Sequence, residues 1–163
     1  MAGRAAAAFA SLVGGSPIWS DAVRRRILRF SGVRLAGNAR IQPYVRFVGS
    51  PSRLNVKSGA FINVGLLVGG NADVVVEERA SIGPNVQLIP TTHEVGKHEQ
   101  RAGATTSAPI RIGRGSWVGA GVIVLGGVDI GDGCVIAAGS VVTRDCEPDG
   151  LYGGTPAKLL RTL

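Results

Sequence analysis

Aliphatic residues return every six positions through most of the chain. From Ile112 the sequence divides into IGRGSW, VGAGVI, VLGGVD, IGDGCV, IAAGSV and VTRDCE, each opening with Ile or Val. The fifth position holds Ser116, Val122, Val128, Cys134, Ser140 and Cys146, all small or β-branched. Upstream the same template opens at Leu35, Ile41 and Phe47, then at Val56, Ile62 and Val68, then at Val76, Ile82 and Leu88, with short offsets between the runs. A plain alternation would suit an antiparallel sandwich, but here the period is six and the glycines recur with it. A hexad of this kind predicts a short strand and a turn, and three hexads close one triangular coil. Fifteen hexads then make about five coils, stacked about 4.8 Å apart as parallel strands. The opening residue faces inward, and the fifth must be small because the interior is narrow. Gly and Asn relax the corners, as in Gly70-Asn71 and Gly131-Asp132-Gly133.

The period fails in three places. Residues 1–32 read as a helical segment. In it Ser16 caps and Pro17 opens a helix over IWSDAVRRRILRF. Ile18, Ala22, Val23, Ile27 and Phe30 form its apolar stripe, with the arginines mostly opposite, so it would cover one end of the repeats or pack on a neighbouring subunit. The Ala-rich start is expected to be frayed or helical, with a signal peptide as the alternative. Within the repeat region, residues 33–147, a polar loop at 89–111 protrudes. It carries both histidines, His93 and His98, and long loops of this sort are often functional. Residues 148–163 form a C-terminal cap, in which GGTPAK reads as a turn into a short closing helix.

Composition sharpens this picture. Aromatic residues are only 5% of the chain and Gly numbers 25, so the core must consist of small aliphatic pieces used many times. The formal charge of +7 suits nucleic acid, a membrane surface, a phosphate-rich small molecule, or simply a basic surface. Arg24, Arg25, Arg26 and Arg29 are its densest cluster, but no recognition motif accompanies them, and no nucleic-acid partner is expected. No stretch approaches the ~20 apolar residues of a membrane span, so no membrane partner is expected either. Cys134 and Cys146 fit neither a disulfide framework nor a CxxC motif, and read as reduced core residues of a cytoplasmic protein.

Taken in order, IGPNVQL, TTHEV, the long loop, IGRGSWVGAGVIVLGGVDIGDGCVIAAGSVVTRD and GGTPAKLLR resemble the maltose and galactoside O-acetyltransferase group of the hexapeptide-repeat acyltransferases, over roughly residues 56–161. The resemblance implies an all-β chain: a left-handed parallel β-helix with a short N-terminal helix and a C-terminal capping element. It also implies a homotrimer with active sites between subunits, and acetyl transfer from acetyl-CoA, as co-substrate, to a sugar hydroxyl without a metal. Carried over position by position, the general base is His93 and the acceptor-orienting asparagine is Asn63. The oxyanion donor is the backbone N–H of Ala120. Trp117 would pack on the pantetheine arm, or else fill a subunit interface. Gly119, Ala120 and Ala138 would let that arm approach the backbone. Thr143, Arg144, Lys158 and Arg161 would meet the CoA phosphates, or else be solvated surface charges.

An imidazole suits the assigned role, because it can take a hydroxyl proton near neutral pH and return it to a thiolate. From TTHEV alone, His93 could equally be a solvated loop residue. His98 reads as surface, and no residue is identified that would orient the His93 ring; adjacent Glu94 would point elsewhere. Three other functions share the fold. A zinc hydratase of the carbonic-anhydrase kind needs three histidines where this chain has two. A non-catalytic scaffold would use the flat faces. An N-acetyltransferase would take an amino sugar or an amine-bearing antibiotic. The segment LAGNARIQPYVRFVGSPSRL departs from the sugar-acetyltransferase pattern, which leaves the acceptor open.

Overall fold

A computed structural model describes residues 2–163. Two helices, α1 (Ala2–Phe9) and α2 (Asp21–Phe30), flank a π-helical turn at Ala10–Gly14. The coils follow. The first holds β1 (Arg34–Leu35), β2 (Arg40–Ile41) and β3 (Arg46–Val48). The second holds β4 (Leu54–Val56), β5 (Phe61–Ile62) and β6 (Leu67–Gly69), and the third β7 (Val74–Val76), β8 (Ser81–Ile82) and β9 (Gln87–Ile89). A hairpin of β10 (Thr91–Val95) and β11 (Ala102–Ser107) then leaves the prism. The fourth coil is β12 (Ile110–Ile112), β13 (Trp117–Val118) and β14 (Ile123–Leu125). The fifth is β15 (Asp129–Ile130), β16 (Val135–Ile136) and β17 (Val141–Val142).

Successive coils pair in parallel to give three flat sheets: face A from β1, β4, β7, β12 and β15, face B from β2, β5, β8, β13 and β16, and face C from β3, β6, β9, β14 and β17. The result is the stack of five coils that the hexads predict, a left-handed parallel β-helix as the resemblance implies. Register puts like on like. Ile41, Ile62, Ile82, Val118 and Ile136 form one interior column on face B. Apart from Ala72 and Thr92, where the hexads give way to offsets, the opening and fifth residues are buried. The two hydroxyls among them are satisfied: Ser116 Oγ donates to Gly131 O (2.8 Å), and Ser140 Oγ donates to Ala137 O (2.7 Å). A lone hexad has no neighbouring coil to pair its backbone or to cover its inward side chains, so stability is a property of the stack.

Both ends depart from expectation. The second helix is capped by Ser20, whose Oγ accepts from Val23 N (3.5 Å), and not by Ser16. Residues 16–19 instead form a turn whose carbonyls are consumed by α2: Arg24 Nη2 donates to Ser16 O (3.2 Å) and Trp19 O (2.8 Å). The face α2 turns inward is Arg24 and Leu28, 3% and 0% exposed, whereas Phe30 of the expected stripe is 86% exposed and meets the Phe9 ring edge-on. The arginines are not a free basic patch. Arg25 donates to Gly37 O, and Arg29 to Leu35 O and Ala36 O, so they bind carbonyls of the first coil. At the other end, the expected closing helix is a strand pair. β18 (Gly150–Gly154) continues face B in parallel with β16, and β19 (Ala157–Thr162) turns back antiparallel along it. The Thr and Leu content of KLLRTL and the free edge of β18 favour a strand there. No helix among the described residues is long and apolar enough to cross a membrane.

Candidate active site

The stretch read as a loop from its polar, Gly-containing composition is an antiparallel hairpin, with His93 opposite Thr105. Thr and Val residues on both sides of Gly96 favour that conformation. Its foot is clamped: Thr91 Oγ1 lies 2.8 Å from Ser107 Oγ and accepts from Asn71 N (3.0 Å). The His93 side chain is exposed, and its Nδ1 lies 3.0 Å from Gly103 O. A carbonyl oxygen only accepts, so Nδ1 carries the proton and Nε2 presents its lone pair outward. Gly103 O is thus the orienting group that the sequence did not identify, and Glu94 is not needed for it. His98 sits exposed at the hairpin tip, as expected.

The second group of residues lies elsewhere. A cavity of ≈ 460 Å³ runs along the outer side of face B, and Asn63, Trp117, Gly119, Ala120 and Ala138 all line it, together with Phe61. Trp117 and Phe61 stand on the face-B strands, and the others lie toward the corner between faces B and C, where Pro43, Val64, Pro84, Ala120 and Ala138 stack one per coil; Gly65 N donates to Pro43 O, Asn85 N to Val64 O, Gly121 N to Pro84 O and Gly139 N to Ala120 O. The residues that follow them, Tyr44, Gly65, Asn85, Gly121 and Gly139, share a positive φ. Asn63 Oδ1 accepts from Val64 N (2.8 Å), which fixes its amide at the corner. Gly119 has its own reason to lack a side chain: a Cβ there would stand 2.7 Å from Ala138 N and 2.8 Å from Ile136 O. The N–H of Ala120 has no hydrogen-bond acceptor among the described residues, and Ala120 is exposed.

The cationic residues divide between two places. Thr143 and Arg144 are exposed at the corner between faces C and A, on the edge from which the hairpin springs. Lys158 and Arg161 are exposed on β19, at the far end of face B. One chain therefore separates the candidate residues into two groups: His93 with Thr143 and Arg144 on the C/A edge, and the Asn63–Trp117–Ala120 groove with Lys158 and Arg161 on face B. The width of face C separates the two edges, roughly 10 Å of strand plus its turns. Both cysteines are unpaired and buried. Burial pushes the Cys134 thiol up, and the Cys146 thiol up to about 12, so neither is a nucleophile. Among the described residues no group of three or more His, Cys, Asp or Glu could hold a metal.

With this geometry in place, comparison with known proteins identifies the fold family. Residues 109–144 match the model described as "Bacterial transferase hexapeptide (six repeats)". Galactoside O-acetyltransferase of Escherichia coli is 31% identical over 140 residues, which are 86% of this chain and 68% of that protein. A Schizosaccharomyces pombe protein named as a prospective acetyltransferase is 42% identical over 103 residues, 63% of this chain. The matched stretch is only 46% of that relative's length. A Vibrio cholerae hexapeptide-repeat acetyltransferase, crystallised with acetyl coenzyme A, superposes with a TM-score of 0.88 and 29% identity over 98% of this chain and 86% of that one. The chain belongs to the hexapeptide-repeat acetyltransferases.

Proposed function

We propose that the protein transfers an acetyl group from acetyl-CoA to a hydroxyl of a sugar or glycoside, in a homotrimer whose active sites lie between chains. The observation that carries this is the division of the site: a base on one edge and an open backbone donor on another, which only a neighbouring chain can bring together. The hairpin extends roughly 17 Å for its five-residue strand, enough to reach across an interface. In that arrangement His93 of one chain overhangs the face-B groove of the next, where Trp117 packs on the pantetheine arm and Gly119 and Ala138 keep its bed flat. Thr143, Arg144, Lys158 and Arg161 meet the CoA phosphates. Two unpaired thiols fit a reducing, cytoplasmic setting.

The reaction follows from the tautomer. The His93 Nε2 lone pair takes the acceptor hydroxyl proton as the oxygen attacks the thioester carbonyl, with Asn63 orienting the acceptor. The carbonyl oxygen becomes an oxyanion and receives the Ala120 N–H. Collapse breaks the C–S bond, and the imidazolium returns its proton to the departing thiolate. The products are an acetyl ester and free CoA thiol, with no acyl-enzyme between.

The test is thiol release from acetyl-CoA with a panel of sugars, amino sugars and glycosides. Replacing His93→Ala is expected to lower turnover by a factor on the order of 10² to 10⁴, with CoA binding retained. Unchanged turnover would remove His93 from the mechanism; activity with amines alone would turn the assignment to N-acetylation; failure to bind acetyl-CoA would leave a scaffold.

A further inference from the structure

A cavity of ≈ 920 Å³ opens between α1 and the C/A edge of the first three coils. Its wall runs from Arg4 and Ala8 on the helix, past Val48 and Gly70, to Asn71 and Thr91. Thr91 is the first residue of β10 and His93 lies two residues on. Side chains at i and i+2 of a strand share a face about 7 Å apart, so the imidazole lies on the same face of β10 as the Thr91 side chain at the rim of this cavity. The edge here is bare backbone by necessity. A Cβ on Gly70 would collide with Thr91 Oγ1, and one on Gly49 with Gly70 O, so the wall cannot be filled by side chains.

The chemistry of the wall is uneven. Most of it is apolar, from Ala7, Ala8, Phe47 and Val48, and no carboxylate lines it. Arg4 is the single charge in the lining and has no ion pair or hydrogen bond among the described residues. A guanidinium beside an apolar floor, with no counter-ion of its own, favours an anionic group, which its planar fork holds through two parallel hydrogen bonds. We propose that this cavity seats the acceptor and that the acceptor is an anionic sugar, its negative group on Arg4 and its reacting hydroxyl under His93. The inference rests on the acetyl-transfer reading for the identity of the hydroxyl, and on the cavity alone for the charge.

Binding separates the two. The full chain, saturated with CoA, is titrated calorimetrically with a neutral methyl galactoside, its uronate twin and galactose 6-phosphate. Wild type is expected to bind an anionic twin at least ~10-fold tighter than the neutral sugar, and the uronate and phosphate arms say which anion fits. Arg4→Gln brings that ratio to about one, while Arg4→Lys, which keeps the charge without the fork, retains part of it. A wild-type ratio at or below one, or a ratio unchanged in Arg4→Gln, overturns the proposal. Arg4-dependent binding with no thiol release from acetyl-CoA would keep the pocket and sink the acetyl-transfer reading. Thiol release with neutral sugars and no dependence on Arg4 would do the reverse.

Discussion

The B/C and C/A edges of the prism are made by the same repeat and have opposite characters. At the B/C corner every coil turns in the same way, each residue after the turn's outer position has a positive φ, and side chains are small or cyclic. What this edge offers to chemistry is backbone, above all the N–H of Ala120. At the C/A corner extra residues enter between the first four coils, and between the third and fourth they form a hairpin whose foot is clamped at Thr91. What this edge offers is a side chain, His93, set by one carbonyl. Regularity places a main-chain donor accurately, and an insertion sets an imidazole outside the prism without disturbing the core beneath.

If that contrast is right, the two edges respond differently to mutation. The largest effect belongs to His93→Ala: turnover falls as stated above while the unfolding midpoint stays unchanged in a thermal melt, because the ring is exposed. Next comes Ala120→Pro. Proline already stands at the stacked position one coil below, Pro84, so the corner should accept it and lose only the N–H. Loss of one oxyanion donor predicts a fall of about 10² to 10³ in kcat. Mixing the two inactive variants under conditions that exchange subunits should restore activity, since a hybrid can pair an intact His93 with an intact Ala120; no recovery would place both half-sites in one chain.

Gly119→Val should act on stability instead. Its Cβ would press on backbone of the coil above, and overpacking of this kind costs about 3 kcal/mol, a drop of roughly 6–12 °C in Tm. The smallest effect concerns the interior. Burial raises the Cys146 thiol from an ordinary value of 9.0 to about 12, so the fold holds the neutral form. That contribution is complete below about pH 9 and is lost as pH rises toward 12. At pH 8 a thiol reagent should leave both cysteines of the native protein unmodified and label both after denaturation. Rapid labelling of the native protein would show an interior looser than the one described.

The stack was legible because a period of six has few physical causes. Ile112 to Val142 open six hexads, and all six openers are buried on three faces in the expected order. The hairpin was harder to read. Its alternation is weak, and both strands are polar because neither faces a core, so burial leaves no imprint on the sequence there. The contact that orients His93 was invisible for a simpler reason: it is a carbonyl, Gly103 O, and main-chain groups carry no residue signature. The helix α2 misled because amphipathicity was read from apolar residues alone. Arg24 is drawn inward by two carbonyls, which outweighs the pull of Val23 and Phe30 toward a core already filled by Leu28. The closing segment misled because LLR has good helical propensity, and an available strand edge overrode it.

The guanidinium groups on the first coil and the reversed strand on the last have a consequence beyond the single molecule. A parallel β prism whose ends were bare would present an unfinished template at each terminus, with carbonyls and amides at the spacing another prism needs. Copies could then dock tip to tail without limit and grow into fibres. Arg25 and Arg29 occupy carbonyls at one terminus, and β19 runs the wrong way to continue the parallel ladder at the other. The same residues that looked like a basic patch keep a polymerisable architecture finite.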